Sequence, residues 1–205
     1  MKRIVFMALL ALALPVAALA NGVDFTNTGG TLTGSTSGLT LSGSELTQVQ
    51  GLGGLGLVQG GLGSLSFSTG GWVSGSFSSP TGIVFAAGGT FTITGNGTGG
   101  IPNGVIFSGT FSGPVTFVPQ GTVGVDGSIY YTLFGTISGT WYNGTTVSGA
   151  TTQLTFNTGK NGFMGSVGLG SGDTVITTVP EPGTLGLLGT GLVGLAGLVR
   201  KKLKA

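Results

Sequence analysis

Between Ile129 and Tyr142 the chain alternates without a break. The odd positions read Ile129, Tyr131, Leu133, Gly135, Ile137, Gly139 and Trp141. The even positions read Tyr130, Thr132, Phe134, Thr136, Ser138, Thr140 and Tyr142. A period of two places each set on its own face of an extended backbone, so the segment is read as a half-buried strand and not as a helix. Val73, Gly75 and Phe77 alternate in the same way. So do Phe91 and Ile93 against Thr90, Thr92 and Thr94, and so do Val105, Phe107, Gly109 and Phe111. The body of the chain is therefore expected to be all-β.

Turn residues punctuate these runs. Asn-Gly stands at 96–97, 103–104, 143–144 and 161–162, and Asp-Gly at 126–127. Such pairs favour the positive φ angles of type I′ hairpins. The spacing predicts an antiparallel meander of 121–125, 128–142 and 145–156, with a last strand near Thr174–Thr178. An echo of apolar, any, Gly, hydroxyl, apolar, Ser starts at Val73, Phe107 and Leu133, with a weaker copy at Ala87. Glycine on an apolar face leaves a gap that a neighbouring aromatic ring can cover, and it permits strong curvature. The copies are unequally spaced, which favours a curved sandwich or barrel. An irregular β-solenoid, which wants a fixed period, is the alternative. The region 29–70 is expected to be poorly ordered; its Gly/Leu-biased stretch 51–63 reads as a flexible segment or as a strand pair with tight turns.

Composition bears on what the body can do. Of 205 residues 45 are Gly, none is Cys or His, and 6% are charged, while 40% are hydrophobic. That apolar share argues against plain disorder. Without Cys there are no disulfides and no thiol nucleophile, and without His there is neither a conventional catalytic triad nor an imidazole metal ligand. Between residues 21 and 182 the one cation, Lys160, faces five acids: Asp24, Glu45, Asp126, Asp173 and Glu181. With no basic patch, nucleic acid is not an expected partner. The acids lie far apart in sequence and show no Asp-x-Asp run of the kind calcium favours. Asp126 is explained by its turn and Glu45 by solvent. No catalytic residue, cofactor or metal is expected, and the chain does not read as an enzyme.

The ends are more explicit. Lys2 and Arg3 precede the apolar run Ile4–Leu14. Pro15 follows, and Ala18-Leu19-Ala20 offers small residues for cleavage. Residues 1–20 read as a signal peptide with a short helix, to be removed by signal peptidase. At the other end Pro180-Glu181-Pro182 precedes the uncharged stretch 184–199, and Arg200, Lys201 and Lys202 follow. Sixteen helical residues reach about 24 Å, short of a hydrocarbon core of roughly 30 Å but enough for a short transmembrane helix with snorkelling flanks. The cationic cluster should stop transfer and stay cytoplasmic. The body, 21–178, is then placed outside the inner membrane.

Motif, short Gly/Leu span and terminal basic cluster, in that order, resemble the PEP-CTERM sorting signal, over 179–205 only. The resemblance implies a Gram-negative host that makes extracellular polysaccharide. It also implies a partner, an exosortase-like membrane protease or transpeptidase that reads Pro180, Glu181 and Pro182. The protein would pass through the inner membrane, remain there transiently by its C-terminal helix, and reach the cell surface or extracellular space. Two roles for the body stand open. One is a non-catalytic structural component associated with exopolysaccharide or biofilm. The other is a carbohydrate-binding module or adhesin, for which Tyr130, Phe134 and Tyr142 on the Thr-rich face of the long strand are the candidate glycan strip.

Overall fold

The computed structural model describes residues 21–178 apart from 78, 124–127, 161 and 162. The expected signal helix, the sorting motif with its transmembrane helix and stop-transfer cluster, and the Asp126-Gly127 and Asn161-Gly162 pairs all lie outside the described residues. Within them the fold is all-β. The strands are β1 (Asn21–Thr28), β2 (Thr31–Ser35), β3 (Gly38–Gln50), β4 (Val58–Ser68), β5 (Trp72–Gly75), β6 (Ile83–Phe85) and β7 (Gly88–Asn96). They continue with β8 (Asn103–Phe111), β9 (Val115–Val123), β10 (Ile129–Trp141), β11 (Thr146–Asn157), β12 (Ser166–Gly168) and β13 (Ser171–Thr178).

Eight of them close into an antiparallel barrel in the order β1-β3-β4-β7-β8-β10-β11-β13 and back to β1. The open choice between sandwich, barrel and solenoid is thereby decided for the barrel. Two side branches leave the ring. The first half of β10 pairs with β9, which carries β6 and β5, whereas its second half pairs with β8. The first half of β3 pairs with β2, which carries β12. A long strand can thus serve two neighbours along one edge, which is why β3 and β10, at 13 residues each, are the longest.

The barrel is filled, as eight strands require. Phe25, Leu41, Leu65, Phe67, Phe91, Phe107, Leu133, Ile137, Leu154 and Ile176 are all buried. Phe67 stands edge-on to Phe111 with ring centroids 6.0 Å apart and lies 6.2 Å from Phe91. A second aromatic group, Phe77, Phe117, Tyr131 and Phe163, fills the space under the side branches, with Phe77 and Phe163 4.6 Å apart. The alternation expected for β10 holds at Tyr131, Leu133 and Ile137, which point inward, and at Phe134, which points out. Polar residues face outward and apolar ones inward, the reverse of a barrel that faces lipid with its wall. Among the described residues no helix is long and apolar enough to cross a membrane.

Two glycines of the echo, Gly109 and Gly135, do what their position suggested, whereas Gly75 and Gly89 lie against strand backbone. Gly109 and Gly139 face each other across β8 and β10. A Cβ on Gly139 would stand 2.8 Å from the Phe107 ring, and one on Gly135 2.9 Å from the Phe111 ring. Aromatic rings cover the missing side chains and the strands close up.

Three expectations need correction. The stretch 29–70 holds β2, β3 and β4, with Leu32, Leu39, Leu41, Leu46, Leu62 and Leu65 buried. Its leucines are spaced by small residues that suit a pleated wall, a pattern that reads as low complexity in one dimension. The described Asn-Gly pairs, at 96–97, 103–104 and 143–144, do not form type I′ turns. No described residue other than glycine has positive φ, whereas that turn needs two in succession. Instead Asn96 and Asn143 accept hydrogen bonds at Oδ1 from the amides of Thr98 and Thr145, both at 3.0 Å, and only Gly97 and Gly144 turn left-handed. Asn103-Gly104 opens β8, opposite Asn96. The strand boundaries also shift: the meander is formed by β9, β10 and β11, with β9 starting at Val115, and the last strand starts at Ser171.

Candidate functional site

The outer wall is a field of hydroxyls set in register by strand pairing. Ser66, Thr92, Ser108, Thr140 and Thr146 follow one another across β4, β7, β8, β10 and β11. A second row, Ser166, Thr33, Thr40, Ser68 and Thr90, crosses β12, β2, β3, β4 and β7. Neighbours in a row are spaced by the strand separation, about 4.8 Å. Some bond directly: Ser64 to Thr94 at 2.8 Å and Ser68 to Thr90 at 3.1 Å. These rows were invisible in the sequence, where the paired Thr33 and Ser166 lie 133 positions apart. The local signal was only that hydroxyls recur at every second position.

Of the three aromatics expected to form a strip, two share the wall of β10. Phe134 is 42% exposed and sits between Thr116 of β9 and Gln153 of β11. Tyr130 is half-buried, and its Oη accepts a hydrogen bond from Asn157 Nδ2 at 3.3 Å. Thr132, between them on the same face, is buried. Four residues of strand put Tyr130 and Phe134 about 13 Å apart. Tyr142 is 45% exposed but stands in the turn after β10, eight residues from Phe134 and so about 27 Å further along. The structure brings Tyr130 and Phe134 onto one patch and places Tyr142 at the end of the barrel. Tyr131 and Trp141 belong to the interior: Trp141 stacks 6.3 Å from Phe25 and meets Phe107 edge-on at 4.9 Å. Trp72, 49% exposed on β5, donates from Nε1 to the Gly75 carbonyl.

Two carboxylates that the sequence separates by 149 positions do meet. Asp24 on β1 and Asp173 on β13 share the outer face of the seam that closes the ring. Burial first, then the negative charge of Asp173 and a hydrogen bond with it, push the Asp24 carboxyl up to about 6. Thr26 donates to Asp173 Oδ1 at 3.3 Å. No third acid joins them, since among the described residues no three metal-ligating groups gather. Glu45, exposed on β3, pairs across to Thr28 of β1 and Ser64 of β4. The barrel surface is thus divided: acids at β13, β1 and β3, uncharged hydroxyls over β4, β7, β8, β10 and β11.

No curated protein and no solved structure matches this chain. Residues 178–201 match the PEP-CTERM protein-sorting motif. That motif starts on the last residue of β13, so the closing strand of the barrel runs without a spacer into the sorting signal. The chain therefore carries a PEP-CTERM sorting motif at its C-terminal end, which implies export, a membrane-anchored sorting signal and processing by an exosortase, a membrane protease.

Proposed function

We propose that this is a non-catalytic protein of the cell surface or extracellular matrix of a Gram-negative bacterium, delivered by an exosortase and resident among exopolysaccharide. The observation that carries the reading is the sorting motif at 178–201. The barrel adds support of a different kind. Over β4, β7, β8, β10 and β11 its wall offers neutral hydroxyls rather than charges, and its interior is filled with side chains, which suits a stable module in a hydrated polymer. In this reading signal peptidase cuts after Ala20. Arg200, Lys201 and Lys202 halt the span in the inner membrane, because a charge in hydrocarbon costs about 2.5–3.5 kcal/mol on insertion scales. Pro180-Glu181-Pro182, kept extended by its prolines, is then offered to the enzyme.

The test replaces Pro180-Glu181-Pro182 with three alanines and fractionates an exosortase-bearing host. The variant is expected to accumulate at full length in the inner membrane while the wild type is processed. A variant processed and distributed like wild type removes the sorting reading.

A second reading is favoured by Tyr130 and Phe134 on one face of β10: carbohydrate binding, with ring faces stacking on sugars and the neighbouring Thr116 and Gln153 supplying hydrogen bonds. Affinity electrophoresis in gels containing the host's exopolysaccharide checks it. Retardation of the wild type that is lost in Phe134→Ala supports binding, and equal mobility of the two with and without polymer opposes it.

A further inference from the structure

Three loops gather at one end of the barrel: residues 51–57 between β3 and β4, 97–102 between β7 and β8, and 142–145 between β10 and β11. They touch one another. A Cβ on Gly53 would come 2.8 Å from the Tyr142 Oη, and a Cβ on Gly100 would meet Leu55 at 3.7 Å. None of the three loops contains a charged residue. Leu57 is 53% exposed here, Val105 at the start of β8 is 50% exposed, and Tyr142 stands beside them. An uncharged tip that carries three exposed apolar side chains is thus presented to solvent.

Both chain ends of the body leave from this same end. Gly22, at the start of β1, lies against Thr177, at the end of β13, and Gly51 of the first loop lies against the Gly22 carbonyl. After Thr178 only residues 179–183 precede the uncharged stretch 184–199, and five residues reach at most about 18 Å. Of the other exposed apolar side chains, Phe134 stands on the wall of β10, and Trp72, Val73 and Met164 lie at the opposite end. There Trp72 bonds the turn between β2 and β3 through the Thr36 carbonyl, and Lys160 follows β11. Among the described residues Asp24 is the acid nearest the tip, on the outer wall of β1, two residues from Gly22.

We propose that the barrel docks end-on against the bilayer surface through Leu57, Val105 and Tyr142. The occupant is the lipid interface itself. Leucine and valine suit its acyl boundary, and tyrosine, apolar in body and polar at its tip, is the residue type enriched there. The inference rests on the anchoring reading given above.

The absence of cysteine from the chain makes the test direct. Full-length chain carrying Leu57→Cys, Tyr142→Cys or, at the far end, Ser37→Cys is labelled with a fluorophore and reconstituted in phosphatidylglycerol/phosphatidylcholine vesicles. Some of the lipids carry a headgroup spin-label quencher. Flotation of the vesicles reports anchoring separately. The expected result is a floating chain quenched about threefold more at 57 and 142 than at 37. In a Leu57→Ser/Tyr142→Ser chain labelled at Val105→Cys, flotation should persist while quenching at 105 falls to the far-end level. A floating chain with equal quenching at all three positions overturns docking and leaves anchoring intact. A chain that does not float overturns both.

Discussion

At the scale of single residues, the Asp24–Asp173 pair makes stability depend on pH. The Asp24 carboxyl, ordinarily near 3.8, is pushed up to about 6 in the fold by burial and by Asp173. The folded state therefore holds a proton that the unfolded chain gives up earlier. Stability from this group is complete below about pH 4, falls as pH rises, and is gone above about pH 6. Asp24→Asn removes the repulsion, so it should stabilise the barrel at pH 7.5 and leave it nearly unchanged at pH 4. Because the pair is only partly buried, solvent screening holds the gain to about 1 kcal/mol or less. Urea unfolding at the two pH values checks it, and a stabilisation equal at both would show that the carboxyl pair is not the cause. A second residue-scale effect is internal. The Thr174 and Thr152 hydroxyls are buried without a hydrogen-bond partner, so Thr174→Val should stabilise by about 1 kcal/mol, since a buried unpaired hydroxyl costs more than a methyl of the same shape. Gly139 is the opposite case. A Cβ there would overlap the Ser108 carbonyl and stand 2.6 Å from the Gly109 Cα, both backbone. Gly139→Ala should therefore cost about 2–3 kcal/mol by forcing β8 and β10 apart, against little change for the exposed Thr140→Ala, as thermal melts would show.

At the scale of elements, what matters is whether a strand has one neighbour or two. β13 lies between β11 and β1 and closes the ring, whereas β5 is an edge paired only with β6. A proline cannot donate to a ladder and is tolerated mainly on edges. Val175→Pro should cost about 3 kcal/mol or more and open the ring, while Val73→Pro should shift the urea midpoint far less. Equal shifts would mean that β13 is not a closing strand. The elements were legible in the sequence to different degrees. β10 was plain because thirteen residues alternate with bulky groups inside. β3 and β4 were obscured because their core residues are leucines set among glycines, which carry little β-propensity of their own, and because bulges at Leu41/Ser44 and Leu46/Gln48 break the period of two. The Asn-Gly turns were rightly located at the β7–β8 and β10–β11 connections. Their type was missed because the asparagine side chain, not a second left-handed residue, satisfies the turn.

At the scale of the whole molecule, the body and its ends make separable contributions. Deleting 184–205 should give a soluble product that bypasses the enzyme, with a β-type far-UV circular dichroism spectrum, because the described residues of the barrel and its side branches pack on a continuous hydrophobic core of their own. Size-exclusion chromatography and the spectrum check this together: a helical or aggregated product would show that the body needs its anchor to fold. The candidate surfaces were legible only in part. That Tyr130 and Phe134 share a face followed from their even spacing. That Tyr142 stands apart from them could not be read, since alternation continues on paper past Trp141 while the strand itself ends there.

The sequence alone determined that β7, β8, β10 and β11 are extended, which side chains face inward along β10, and that a sorting signal occupies the C-terminal end. Each of these depends on local covalent order: the pleat has a period of two, and a sorting motif is read as a linear string. Tertiary structure alone decided that the sheet closes as an eight-stranded barrel, that hydroxyls far apart in the chain line up in rows, and that Asp24 meets Asp173. It also decided that both ends of the body leave beside the uncharged tip. All four are set by which strands pair and in what register. Register is chosen by the joint packing of the phenylalanines and the cross-strand glycines, a property of many distant residues at once that no single stretch of chain carries.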